Sequence, residues 1–185
     1  MMDKAIALQK IAKKIARCAE CKADKSGLSV PGEGNPDADI MFLGEAPGKN
    51  EAKIGRPFIG RSGQLLRRMI REAGLNEADV YITSPVKYLP DRGTPTKEHI
   101  NHGKTHLSKQ LEIIQPKIIA LMGATAVFAM FGKTMPIMKV HGNVIKENGY
   151  TYIIMLHPAA VLRFPKYAPL MKADFKKLKT LIPTR

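Results

Sequence analysis

The sequence holds only two cysteines, Cys18 and Cys21, too few to staple a secreted fold of this length with disulfides. It has no long hydrophobic run. The longest uncharged stretch, residues 118–132, is interrupted by Gly123 and Thr125 and falls short of the roughly 20 apolar residues that span a bilayer. No apolar signal core is present. The first twenty residues are basic and amphipathic, but Asp3, Glu20 and the lack of serine there argue against a transit peptide. Acids are scarce as well: sixteen Asp and Glu stand against thirty Lys and Arg, a formal net charge of +14. Such a surplus points to a polyanionic partner, nucleic acid or an acidic membrane surface, with solubility as the other use of net charge. The charge is segregated. Residues 52–71 carry six basic side chains and no acid, and residues 163–185 carry seven with Asp174 alone. A binding face accounts for that clustering better than solubility does, and a cytosolic enzyme or binding module remains.

What is there fits one ordinary globular domain, residues 1–185, with 44% hydrophobic and 25% charged residues. Leu8, Ile11, Ile15 and Cys18 recur on one helix face, with Lys10, Lys13, Lys14 and Arg17 on the others. Residues 26–37, with three glycines and two prolines, read as loop. Apolar runs at 39–43, 80–83, 117–122 and 150–156 read as strands, and helices are predicted over 62–74, 96–115, 123–131 and 167–182. That alternation predicts a three-layer α/β/α fold around a central four-stranded parallel sheet. Ligands of such sheets bind beyond the carboxyl ends of the strands. Three of those ends are chemically unusual: Gly44-Glu45-Ala46-Pro47-Gly48, Thr83-Ser84-Pro85 and His157-Pro158. Residues 44–60, read as a structureless loop, are too long for a simple connection. Glu45 should face the cleft, and His157 could stabilise developing negative charge there. A P-loop pattern and a metal–carboxylate cluster are both missing, which argues against a phosphate-handling hydrolase.

Taken in order, Gly44-Glu45-Ala46-Pro47-Gly48, the block from Gly55-Arg56-Pro57-Phe58 to Gln64-Leu65-Leu66, Val80-Tyr81-Ile82-Thr83 and His157-Pro158-Ala159-Ala160-Val161-Leu162-Arg163 resemble the family 4 uracil-DNA glycosylases. The likeness runs over about residues 10–180. It implies a monofunctional base-excision enzyme that flips deoxyuridine out of double- or single-stranded DNA, hydrolyses the N-glycosidic bond, releases uracil and leaves an abasic site. It implies catalytic roles for His157, at the leaving base, and for Glu45, near the sugar or its water. Gly44, Ala46, Phe58 and Ser84 would bind the base, Phe58 by stacking. Arg61 and Ser62 would bind phosphate, and Pro158, Ala159 and Arg163 would enter the DNA, Arg163 as a basic plug. The setting implied is cytoplasmic, at the nucleoid, with the protein acting as a monomer away from any membrane.

Two departures stand out. Ser84 occupies a position where the family usually has a base-reading Asn, and a hydroxyl reaches less far than an amide. A glycosylase for hypoxanthine or xanthine, and a non-catalytic damaged-DNA binder, are therefore the alternatives; keeping Glu45, Phe58 and His157 together argues against the binder. The family also typically holds a 4Fe–4S cluster on four cysteines. Cys18 and Cys21 match the first pair, but Tyr88 and Gly103 stand at the other two positions, so no iron–sulfur cluster is expected. His99, His102 and His106 share a helix face. Cys18, Cys21, His102 and His106 make a zinc-type donor set; the other reading is a pair of thiols beside solvated histidines.

Overall fold

The computed structural model describes residues 3–182, so the ends of the expected 1–185 domain, residues 1–2 and 183–185, lie outside the described residues. Helix α1 (Lys4–Arg17) starts at Asp3, whose carboxylate accepts from the Ala5 and Ile6 amides, and stops at Cys18, which caps the one-turn α2 (Ala19–Lys22). Strands β1 (Lys25–Ser26), β2 (Glu33–Gly34) and β3 (Ile40–Leu43) follow. Helices α3 (Lys49–Ile54) and α4 (Arg61–Glu72) lead to β4 (Val80–Thr83) and the short β5 (Leu89–Pro90). Next come α5 (Lys97–Ile114), β6 (Ile118–Met122), α6 (Ala124–Phe131) and α7 (Ile137–Val140). The chain closes with β7 (Val144–Glu147), β8 (Tyr150–Met155), α8 (Pro158–Arg163) and α9 (Ala168–Thr180).

The main sheet has the order β2-β4-β3-β6-β8-β7. Its four central strands are parallel, as the alternating pattern predicts. Two antiparallel edge strands, β2 and β7, extend it to six. Helices cover both faces, so the inner strands are apolar throughout. Alternate side chains of β3 feed separate cores. Phe42 packs with Leu66, Ile70 and Phe175 under α4 and α9, and Met41 and Leu43 pack with Leu107, Ile119 and Ala126 under α5 and α6. The expectation of a structureless 44–60 loop is corrected: α3 lies inside it.

Loops beyond the strand ends are knitted to the sheet. The Gly44 amide donates to the Thr83 carbonyl at 2.9 Å, and the Gly123 amide to the Met155 carbonyl at 3.0 Å. Below β8, the buried Asp174 of α9 accepts from the Leu156 amide (3.1 Å) and pairs with His141 (2.8 Å). Burial raises the Asp174 carboxyl above its ordinary pKa, against the pull of those two partners. Asp174→Ala should cost about 2–3 kcal/mol, because the Leu156 amide loses its buried acceptor. Urea unfolding should show a lower midpoint with an unchanged slope; an unmoved midpoint would remove Asp174 from this role.

Candidate active site

A cavity of about 110 Å³ opens at the carboxyl ends of the parallel strands, where Ala46, Phe58, Ser62, Ser84 and His157 converge. That is well below the roughly 300 Å³ that a drug-sized ligand needs, and it suits one planar ring. Phe58 forms one wall from a left-handed backbone (φ 52°), a conformation that a bulky residue holds only under constraint. The constraints are visible. Arg67 donates to the Phe58 carbonyl (3.1 Å) and the Pro57 carbonyl (3.3 Å), and is itself held by Glu33 (2.6 Å) and Glu77 (3.1 Å). Burial alone would raise the Glu33 carboxyl, but the guanidiniums of Arg56 and Arg67 outweigh it and hold Glu33 below the usual carboxylate range. The buried Glu51 accepts from the Ile59 (2.9 Å) and Gly60 (2.7 Å) amides, closing the turn. A Cβ on Gly63 would lie 2.0 Å from the Phe58 carbonyl carbon, and one on Gly44 would lie 2.5 Å from the Phe58 ring. Gly44, expected to bind the base, thus makes room for the ring that faces it.

His157 also lines the cavity, its ring tilted 38° to that of Phe58 with the centroids 5.9 Å apart. It is the N-cap of α8, and its Nδ1 accepts from the Ala159 amide at 3.1 Å. A neutral imidazole whose Nδ1 accepts must carry its proton on Nε2. Burial keeps it neutral, pushing its pKa down to about 4. Ser84 is buried, and its hydroxyl donates to the Val86 carbonyl at 2.7 Å, so the oxygen remains as an acceptor. Behind it the fully buried Lys87 donates to Thr83 Oγ1 (2.7 Å), Gln110 Oε1 (2.7 Å) and the Pro31 carbonyl (3.1 Å). Burial pushes the Lys87 ammonium down to about 7.

The other expected site residues are placed less uniformly. Glu45 is not among the residues lining the cavity: its carboxylate accepts from Thr125 Oγ1 at 3.0 Å, at the start of α6. The carboxylate that does line it belongs to Glu51. Arg61 is exposed and Ser62 half-buried at the start of α4, whose N-cap Gly60 brings no capping side chain. Two clefts flank the cavity and share Arg61 and Leu162. One, of about 520 Å³, also contains Arg67, Arg68 and Arg71. The other, of about 600 Å³, contains Lys49, Ala159 and Arg163. Pro158 is buried at the first position of α8. The exposed large apolar residue of that helix is Leu162, at 38%. Arg67 and Thr125 were not singled out by sequence reasoning: their partners lie elsewhere in the chain, and no local pattern marks them.

A second cluster lies between α2 and α5. The donor atoms of Cys18, Cys21, His102 and His106 all lie within 4.8 Å of one another, and the group could bind a metal. His99, on the same expected face, is instead spent on a reciprocal cap with Thr96. Burial, reinforced by Cys18, pushes the Cys21 thiol up to about 12. A four-thiolate iron–sulfur site does not fit these residues. A Cβ at Gly103 would lie 2.1 Å from the Pro85 carbonyl oxygen, and the Tyr88 hydroxyl donates to the Ile15 (3.5 Å) and Ala16 (3.4 Å) carbonyls.

The site is a cavity of about 110 Å³ at the carboxyl edge of a mainly parallel sheet, beside arginine-lined clefts, in an α/β protein. The chain belongs to the uracil DNA glycosylase superfamily, whose sequence profile matches residues 31–179. A type-4 uracil-DNA glycosylase of Sulfurisphaera tokodaii is 39% identical over 188 residues, covering 96% of this chain and 86% of that protein. The type-4 uracil-DNA glycosylase of Thermotoga maritima is also 39% identical, covering 93% of each. The crystal structure of wild-type Pedobacter heparinus SMUG2 shares the fold, with a TM-score of 0.53 at 15% identity over 98% of this chain and 99% of that one.

The His157 geometry sets a titration. The proton binds more weakly in the folded state than in the unfolded one, so protonation favours unfolding, and stability drains away as pH falls from about 6.5 toward 4. Nitrogen NMR of the histidine rings should show His157 as the Nε2–H tautomer at neutral pH, titrating near 4. A midpoint near 6.5, or the Nδ1–H tautomer, would contradict the cap.

Proposed function

We propose that this protein is a uracil-DNA glycosylase of base-excision repair, hydrolysing the N-glycosidic bond of a flipped-out deoxyuridine. The observation that carries this reading is the pairing of Phe58 with a neutral, Nε2-protonated His157 in the lining of one ring-sized cavity. The base enters and stacks on Phe58. As the bond to the sugar breaks, charge collects on uracil O2, and Nε2–H of His157 is the donor aimed at it. A neutral donor is already set in place and needs no buried cation before the reaction; a neutral histidine at a helix start works in the same way in other enzymes. The Glu45 carboxylate, steadied by Thr125, lies beside the cavity, where it supports a cation-like sugar or positions the attacking water.

Ser84 gives selectivity. Its proton is committed to the Val86 carbonyl, so toward the base it can only accept. Uracil presents N3–H to such an acceptor, whereas cytosine presents a lone pair and leaves the buried oxygen unmatched. The cavity volume also favours a pyrimidine over hypoxanthine or xanthine, which carry two fused rings. Arg61, Ser62 and Arg163 on the flanking clefts suit phosphate contacts, and the exposed Leu162 between them suits an apolar wedge into the stack that the base leaves. On this reading the protein acts as a monomer on uracil-containing DNA, single- or double-stranded, at the nucleoid. Among the described residues no helix is long and apolar enough to cross a membrane.

Single-turnover release from matched oligonucleotides tests the reading: uracil should be excised, and hypoxanthine and xanthine left in place. His157→Ala should slow uracil release by about 10²–10³-fold with DNA binding little changed, and a normal rate in that variant would overturn the role of His157. Ser84→Asn should retain uracil release, because an amide supplies the same acceptor. Complete loss of release in Ser84→Asn would show that the hydroxyl geometry itself is required.

A further inference from the structure

We infer that Cys18, Cys21, His102 and His106 bind a single tetrahedral zinc ion that ties α2 to α5 in place of an iron–sulfur cluster. The donor set is two thiols and two imidazoles, a combination that suits zinc. In a tetrahedral site with Zn–S near 2.3 Å and Zn–N near 2.0–2.1 Å, neighbouring donor atoms sit about 3.3–3.8 Å apart. Nε2 of His102 lies 3.2 Å from Cys18 Sγ and 3.3 Å from Cys21 Sγ, and no pair in the group exceeds 4.8 Å. The set is thus nearly closed around one ion.

Three further observations point to a ligand. His106 is buried, 8% exposed, yet neither ring nitrogen has a hydrogen-bond partner. A buried polar group without a partner is costly and rare, and coordination of one nitrogen relieves it. On the other histidine, Glu20 holds Nδ1 of His102 at 3.0 Å. This is the carboxylate–histidine support found behind metal ligands, and it directs Nε2 toward the thiols. The Cys21 amide also donates to Cys18 Sγ at 3.3 Å, as it would to a thiolate.

Two thiolates cannot carry a four-iron cluster, and the backbone at Gly103 admits no side chain. The ion's effect would reach the cavity indirectly. Gly103 lies between His102 and His106 on α5 and packs on the Pro85 carbonyl, next to Ser84. Zinc would fix the helix against which the Ser84 loop rests.

Metal and acid-labile sulfide should be measured on the intact protein, purified without chelator and without a metal-affinity tag. The inference predicts about one zinc per chain and no labile sulfide. Cobalt(II) in its place should give tetrahedral d–d bands with thiolate charge transfer. Cys21→Ser and His106→Ala should each lose the zinc, and His99→Ala should keep it. Iron with sulfide would overturn the inference, as would wild-type protein that holds no zinc and gives no tetrahedral cobalt spectrum. The cobalt spectrum of the wild type decides the question even where a variant fails to fold. None of these readouts depends on base excision, so the metal site and the proposed activity stand or fall separately.

Discussion

The hydrogen bond from the Ala159 amide to Nδ1 of His157 is the constraint on which the site depends. Its origin is local. Pro158 has no amide proton, and its fixed φ suits the first position of a helix. The first amide available to a capping side chain is therefore the next one, and His157 takes it as the N-cap of α8. The cap fixes the tautomer, and burial fixes the charge state. Together they leave a neutral ring with its proton on Nε2 in the lining of the cavity, placed by β8 below it and by Gly123, whose positive φ of 87° and missing side chain let the loop pass close to the His157 Cβ. The His-Pro pair works here as a device for orienting one proton.

The Phe58 part of the lining is held by different means. Phe58 adopts a backbone that costs roughly 1–3 kcal/mol and is kept there by Arg67, Glu51 and the missing side chain of Gly63. Arg67 in turn depends on Glu33 of the edge strand β2 and on Glu77 before β4. The stacking wall is therefore coupled to the sheet edge through an ion-pair network. The imidazole wall is coupled to the sheet through Asp174 and the Leu156 amide. The two rings lie 5.9 Å apart in the lining of the cavity, and their spacing follows from the packing of α4, α8 and α9 over one face of the sheet.

Much of this was legible in the amino-acid sequence. The four parallel strands are apolar because both faces are covered, and their ends carry Glu45, Ser84 and His157. The edge strands were hidden: β2 is two residues, Glu33–Gly34, in a Gly- and Pro-rich stretch, and the second half of β7 is Lys146 and Glu147. Helix α3 has six residues, too few for a periodic pattern to stand out. The site's supporting contacts were hidden for another reason. Arg67 reaches a carbonyl nine positions away, and Thr125 reaches a carboxylate eighty positions away; sequence spacing carries no trace of either. The histidines show the same limit. His99, His102 and His106 have equivalent spacing, but Thr96 captures His99, and only the fold brings the other two to Cys18 and Cys21.

A uracil held in this site has to meet both Phe58 and His157. A crystal structure of the protein with DNA containing 2′-fluoro-2′-deoxyuridine, whose glycosidic bond resists cleavage, reads this directly. The base should lie on the Phe58 ring, with O2 about 3 Å from Nε2 of His157 and N3–H directed at Ser84 Oγ. A base bound outside this cavity, or seated in it with O2 turned away from His157, would contradict the account.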